Sequence, residues 1–214
     1  MRLTLGSEAG QVNVLRGVCL ALPKGQTASL VGPSGSGKSS LLLVAAGLEP
    51  ASSGQLVMGG QDLAGMNEDA RARFRRDHIG FVFQAFNLIP SMTALENIAI
   101  PLELAGAPDA FERAAAELDA VGLKDRARHL PSQLSGGEQQ RVAIARAFAG
   151  DADILLADEP TGNLDGDTGA AIIALMFERA SRRGTALLLV THDTALAARC
   201  DKQFRMTDGL AHAA

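Results

Sequence analysis

Two stretches of this chain combine residue types and spacing that can handle phosphate chemistry. The first is Gly32-Pro33-Ser34-Gly35-Ser36-Gly37-Lys38-Ser39, with Ser40 beside it. Its spacing, G-x-x-x-x-G-K-[ST], is that of a phosphate-binding loop. Glycines let the backbone curl so that successive N–H groups converge on phosphate oxygens. A helix opening near Gly37 adds the positive end of its dipole. Lys38 is expected to reach the β- and γ-phosphates and the Ser39 hydroxyl to ligate Mg²⁺. The plainer alternative is a glycine-rich turn. An apolar run before the loop, Thr27–Val31, and another after it, Leu41–Ala46, supply the strand and helix that a phosphate loop requires. The second stretch is Asp158-Glu159, directly after the apolar run Ile154–Ala157. Two acids after a strand are common on solvated surfaces. Beside a phosphate loop, Asp158 suits Mg²⁺ and Glu159 suits the polarisation of an attacking water.

The elements needed to position these groups are legible. Residues 1–31 read as short strands with turns, residues 38–47 as a helix ended by Gly47, and Gln55–Met58 as a strand before Gly59-Gly60. Residues 67–77 carry Arg71, Arg73, Arg75 and Arg76, which read as a solvated helix face. Ile79–Gln84 is a strand, and about Ala85 to Ala149 is helical. Within it Pro108-Asp109 starts a helix whose stripe Phe111, Ala115, Leu118, Val121 reads as core, with Gly122 as its stop. Strands at 154–157 and 186–190 flank a helix over 168–183 that stops at Gly184. Continuously apolar strands alternating with helices predict a parallel sheet covered on both faces. The ligand crevice of such a sheet lies at the carboxyl ends of its strands, so both acids are expected beside residues 32–39.

Composition sets the limits. The chain has 214 residues, 47% hydrophobic and 21% charged, enough for one domain with a sizeable core. A net charge of −4 argues against nucleic acid as the main partner. Cys19 and Cys200 have no paired metal or redox spacing and read as buried thiols in a reducing compartment. Met1–Gly6 is too poor in apolar residues for a signal peptide, and no apolar run approaches the ~18–20 residues of a membrane span. A soluble, cytoplasmic chain is expected, with any membrane role coming through a partner.

One further stretch, Leu134-Ser135-Gly136-Gly137-Glu138-Gln139-Gln140-Arg141, needs an explanation. Ser135 can cap a helix, with Glu138 as its capping-box partner. Yet Ser-Gly-Gly at a helix start also offers bare N–H groups, a second anion site. This stretch resembles the signature motif of ABC-type ATPases. The rest of the family's set is present in order: Gln84 matches the Q-loop glutamine, Ile154–Pro160 the Walker B strand with its glutamate, Asn163-Leu164-Asp165 the D-loop, and His192 in Val190-Thr191-His192-Asp193 the switch histidine. A lone histidine is more often structural; register singles out His192, while His78, His129 and His212 match nothing.

The resemblance covers essentially the whole chain and implies the following. The fold would be an α/β P-loop NTPase with a RecA-like parallel-sheet core, an N-terminal antiparallel β subdomain and an inserted α-helical subdomain. Residues 1–214 would form one ATPase domain, with 1–84 and 150–214 as catalytic core and β subdomain and 85–149 as the helical subdomain. Two copies would pair head-to-tail, with Ser135, Gly136, Gly137 and Glu138 of one covering the ATP on Lys38 of the other. Glu159, His192 and Gln84 would be catalytic; Ser39, Gln84 and Asp158 would serve the metal. His192 would contact the γ-phosphate and Asp165 would communicate across the dimer. ATP and Mg²⁺ are the implied cofactors, a second copy and an integral-membrane permease the partners, and the cytoplasmic face of the inner membrane the location.

Gly80–Pro90, Ala94–Asn97 and Ala157–Asp165 are similar to the lipoprotein-releasing and macrolide-export branch, and Leu196–Asp201 to a branch of putative export ATPases. The chain departs from the family at the adenine position, in a shortened first strand, and at Ser39. Where it places an aromatic residue against adenine, this chain has Leu5 or a neighbour, so adenine stacking is expected to be weaker or replaced by aliphatic contact. Ser39 replaces the commoner Thr, with the hydroxyl kept. The alternatives are a non-transport ABC ATPase acting on DNA or ribosomes, an assembly factor for iron–sulfur clusters, or a binding module without chemistry. Residues 40–133 hold no sustained heptads, which disfavours the chromosome-structure relatives. Intact Lys38, Asp158, Glu159 and His192 disfavour the dead module.

Overall fold

A computed structural model describes residues 1–7 and 10–214. The chain opens with an antiparallel pair, β1 (Arg2–Ser7) and β2 (Gly10–Arg16), with Leu5 opposite Val12. Then come β3 (Thr27–Val31) and α1 (Lys38–Ala45), a small hairpin of β4 (Val57–Met58) and β5 (Gln61–Asp62), α2 (Glu68–His78) and β6 (Ile79–Val82). Three helices follow: α3 (Ala94–Leu104), α4 (Ala110–Ala120) and α5 (Gly136–Ala149). The chain closes with β7 (Ile154–Asp158), α6 (Gly166–Arg183), β8 (Ala186–Val190), α7 (Thr194–Ala197), β9 (Lys202–Thr207) and β10 (Leu210–Ala213).

The main sheet has the order β10-β9-β3-β8-β7-β6, all parallel except β10. Every residue of β8 is apolar and buried, as a central strand with both faces covered must be. One face packs on α1 and the N-terminal strands through Leu30, Leu41, Leu42, Leu156, Leu188 and Met206. The other packs on α5 and α6 through Phe148, Leu155, Ile172, Met176, Leu187 and Leu189. Phe148 is fully buried, and truncating such a ring to alanine costs about 3–5 kcal/mol. α3, α4 and α5 enclose a third core of their own around Ile98, Leu102, Leu118 and Val142. This is the α/β architecture expected, with a parallel-sheet core, antiparallel N-terminal strands and an inserted run of helices.

Several expectations need correction. The stripe proposed for α4 is wrong at two positions: Phe111 is 46% exposed and Ala115 is exposed too. The buried positions are Ala110, Ala114, Glu117, Leu118 and Val121. Small alanines face the neighbouring helices, and the large ring faces solvent. The strand expected at Gln55–Met58 shortens to Val57–Met58. Cys200 is buried as expected, but Cys19 is exposed. The arginines of α2 are more than a solvated face. Arg71 and Arg75 both pair with Glu68, and Arg75 also donates to the Gly47 carbonyl at 2.6 Å, fastening α2 to the end of α1. Among the described residues, no helix is long and apolar enough to cross a membrane.

Candidate nucleotide-binding and hydrolysis site

The carboxyl ends of β3, β7, β6 and β8 lead to the phosphate loop, to Asp158-Glu159, to Gln84 and to His192, respectively. Parallel strands in one register therefore deliver four separate sequence segments to one edge of the sheet.

The loop after β3 is shaped by close approach. A Cβ on Gly32 would lie 2.2 Å from the Met206 carbonyl oxygen, so β9 leaves room only for glycine. Gly37 is the N-cap of α1 with φ 100°, and no side chain occupies the N–H groups that follow. The Ser36 hydroxyl is buried with no partner. Lys38 is buried, and its ammonium donates to the Gly32 and Pro33 carbonyls, both at 2.9 Å. A buried cation, a spare hydroxyl and uncapped amides make a cradle for phosphate, with the amine free to exchange loop carbonyls for phosphate oxygens.

The Ser39 hydroxyl lies on the Asp158 side of the loop and favours its ionised form. Burial pushes the Asp158 carboxyl above the usual range, and the Glu159 charge adds to that push; the Ser39 hydroxyl and Lys38 oppose it. A hydroxyl and a half-buried carboxylate at neighbouring strand ends form an oxygen donor set that fits Mg²⁺. Glu159 follows with φ 43°, in the left-handed region that non-glycine residues rarely adopt. Its N–H donates to the Val190 carbonyl at 3.0 Å, tying it to the end of β8. Two residues beyond β8, the Nδ1 of exposed His192 lies 3.3 Å from the Glu159 Oε2. Gln84 is held from the same side: Asn163 donates to its carbonyl at 2.9 Å, and a Cβ on Gly162 would come 2.8 Å from its side-chain amide.

Ser135 and its neighbours form a separate group. Ser135 caps α5, accepting from the Glu138 N–H at 3.2 Å, while the Glu138 carboxylate accepts from the Ser135 N–H at 2.8 Å. Arg126 donates to the same carboxylate at 2.9 Å. The Arg126 guanidinium and the Ser135 N–H hold the Glu138 pKa down to about 2. A Cβ on Gly136 would lie 3.3 Å from Leu164, and one on Gly137 would lie 2.6 Å from the Thr168 methyl. The start of α5 thus packs against the turn before α6. Asp165 caps α6 by accepting from the Thr168 N–H at 2.9 Å, which lowers its pKa. Among the described residues, no hydrogen bond joins Ser135–Glu138 to residues 32–40.

Sequence reasoning passed over three residues that hold these parts. Gln140 is buried and donates to the Pro160 carbonyl at 2.7 Å, linking α5 to the turn after β7. Arg126 carries no signal in its surroundings. Arg146 does: it is a single cation within Val142–Ala149, which is otherwise apolar.

The fold and the cluster at its strand ends define a P-loop nucleoside triphosphatase. The profile of the ABC transporter family matches residues 15–162. The ABC transporter ATP-binding protein YbbA of Escherichia coli (strain K12) is 51% identical over 211 residues, covering 98% of this chain and 92% of that protein. The lipoprotein-releasing system ATP-binding protein LolD of Maricaulis maris (strain MCS10) is 49% identical over 208 residues, covering 96% and 91%. Among solved structures, the dimeric post-hydrolysis state of the ATP-binding cassette MJ0796 bound to ADP and Pi matches with a TM-score of 0.90 at 37% identity, covering 99% of this chain and 95% of that one. The chain belongs to the ABC transporter family. It is an ATP-binding, ATP-hydrolysing transporter subunit.

Proposed function

We propose that two copies of this chain close head-to-tail on two ATP molecules to drive an inner-membrane permease from its cytoplasmic face. The work of that permease would be export or the extraction of lipoproteins. The observation that carries the reading is the approach of Glu159 and His192 at the strand ends that also present Lys38, Ser39 and Asp158. In this reading residues 32–40 wrap the phosphates through their N–H groups, and Lys38 bridges the β- and γ-phosphates. Mg²⁺ supplies charge neutralisation when bound, and Ser39, Asp158 and Gln84 are the groups that would hold it. Glu159 takes the proton of the attacking water, and His192 orients Glu159 and contacts the γ-phosphate. Gln84 senses the γ-phosphate side of the site and couples it to the permease, and Asp165 communicates across the dimer. Leu5 and Val12, exposed and opposite each other on β1 and β2, offer aliphatic contact to the adenine.

The partner reading is supported by what the relatives are called. LolD proteins from several organisms, 47–49% identical, are named as lipoprotein-releasing ATP-binding subunits. The MJ0796 cassette is described as dimeric. A soluble, non-transport ATPase is not favoured, because both named groups of relatives are transporter subunits.

Glu159→Gln tests the site. It keeps the size and removes the base, so phosphate release should fall at least about 100-fold while an ATP-bound dimer accumulates on size-exclusion chromatography. Normal turnover by this variant removes Glu159 as the base. The partner is tested by affinity purification of the same variant from detergent-solubilised membranes, where recovery of soluble proteins alone would overturn the permease reading.

A further inference from the structure

The segment that follows Gln84 contains two consecutive non-glycine residues in the left-handed region, Phe86 at φ 61° and Asn87 at φ 48°. A backbone of this kind persists only where its surroundings hold it. One side chain does so. Arg146, on the inner stretch of α5, donates from Nη1 to the Asn87 carbonyl at 2.6 Å and from Nη2 to the Phe86 carbonyl at 2.9 Å. Among the described residues, no carboxylate pairs with Arg146. Arg146 is half-buried, burial lowers its pKa, and its guanidinium rests on neutral carbonyls. The forked geometry suits a guanidinium and no other side chain. At the far end of the contact, the Phe86 ring lies 3.8 Å from where a Cβ of Gly136 would stand. The turn therefore touches α5 twice, at its start through Phe86 and one side further along through Arg146.

We infer that Arg146 is a positioning residue that locks the left-handed Phe86–Asn87 turn to α5, so that Gln84 and the Ser135–Gly137 helix start move as one unit. This rests on the roles proposed above for Gln84 and Ser135. A shift of Gln84 at the γ-phosphate then reaches the helix start that covers ATP on the partner copy, and permease movement at the Gln84 loop reaches it by the same path. Arg146 itself touches neither nucleotide nor metal.

The test uses the full-length protein with Glu159 intact, measuring kcat and KM for ATP in Arg146→Met, Arg146→Lys, Asn87→Gly and the Arg146→Met/Asn87→Gly pair. Glycine adopts φ +48° without strain, so it relaxes the turn at position 87 without replacing its tie to α5. Arg146→Met is expected to lower kcat about 10-fold with KM within about 2-fold. Arg146→Lys, which keeps the charge and one donor, should fall between it and the parent. Asn87→Gly alone should stay within about 2-fold, and the pair should stay about as far below the parent as Arg146→Met, because a relaxed turn is still unfastened from α5. Unchanged kcat in Arg146→Met overturns the inference. So does recovery of the parent's kcat in the pair, since Arg146 would then act by relieving backbone strain and not by joining the turn to α5. If Arg146→Met does not fold, Arg146→Lys with and without Asn87→Gly gives the same comparison. The kcat ratios between these variants are read independently of Glu159→Gln, which tests the site assignment.

Discussion

Two helix starts in this molecule can receive an anion, and they are built in opposite ways. α1 begins at a glycine N-cap with no side-chain cap and no acid in its first turn. Its amides are left open, with the buried Lys38 ammonium and the unpartnered Ser36 hydroxyl beside them. α5 begins at Ser135 with a complete capping box, and its first turn carries Glu138, ionised across the whole working pH range. The first start is unstable as a helix end until phosphate arrives; the second is already satisfied by its own side chains. The difference teaches a division of labour. α1 can bind nucleotide alone, whereas α5 keeps its shape in the lone subunit and offers only the Ser135 hydroxyl and the N–H groups of Gly136 and Gly137. A fixed negative charge nearby also keeps it from gathering free phosphate.

The largest effect should follow from making α1 like an ordinary helix start. Lys38→Ala removes the only buried cation of the cradle, and ATP affinity should drop on the order of 100-fold, with turnover falling further. Isothermal titration with ATP measures it. An affinity within a few-fold of the parent would mean that the loop amides suffice, and the contrast between the two starts would lose its main support.

Ser135→Arg should act on the other half of the comparison. A long cation replaces the cap at the start of α5, and a lone subunit should still bind ATP within about 3-fold because α1 is untouched. Turnover should fall about 100-fold, since closure of the second copy over the nucleotide is blocked. In a Glu159→Gln background, ATP-dependent dimers seen by size-exclusion chromatography would show that α5 does not cover the partner's nucleotide.

The contrast also explains what could be read from the sequence. Residues 32–39 announce their chemistry because glycine, lysine and serine do that work by backbone curl, charge and hydroxyl, all local properties. The sheet was equally legible, because strands buried on both faces, such as Ala186–Val190, are continuously apolar. The register of α4 was not. Phe111 dominated the hydrophobic pattern, yet Ala110 and Ala114 pack inward, because helix neighbours at close range favour small side chains. Nor could periodicity place Glu117, a buried acid paired with Arg179 and Arg183 from α6. Long-range polar contacts of this kind, like those of Arg146 and Gln140, join segments far apart in sequence and have no local signature. The strain at Glu159, Phe86 and Asn87 was hidden for the same reason, since neighbours in space impose it.

The smallest expected effect concerns the charge that closes the start of α5. Glu138 has a folded pKa of about 2, below its ordinary 4.5, chiefly because Arg126 donates to it and next because the Ser135 N–H does. A depressed carboxylate contributes its stability in full above the unfolded value and loses it as pH falls from about 4.5 towards 2. The side chain is a quarter exposed and that of Arg126 nearly half, so solvent screens the pair and its contribution at neutral pH is small. Arg126→Ala should therefore lower stability slightly in denaturant titrations at pH 7 and by much less at pH 2, where the Glu138 of the parent is itself about half protonated. The residual hydrogen bond from Ser135 should keep the helix start formed, leaving ATP affinity in the lone subunit unchanged. Equal losses at the two pH values would mean that Arg126 acts through packing of its alkyl chain. The start of α5 would then owe its closure to the capping box alone, without the ion pair.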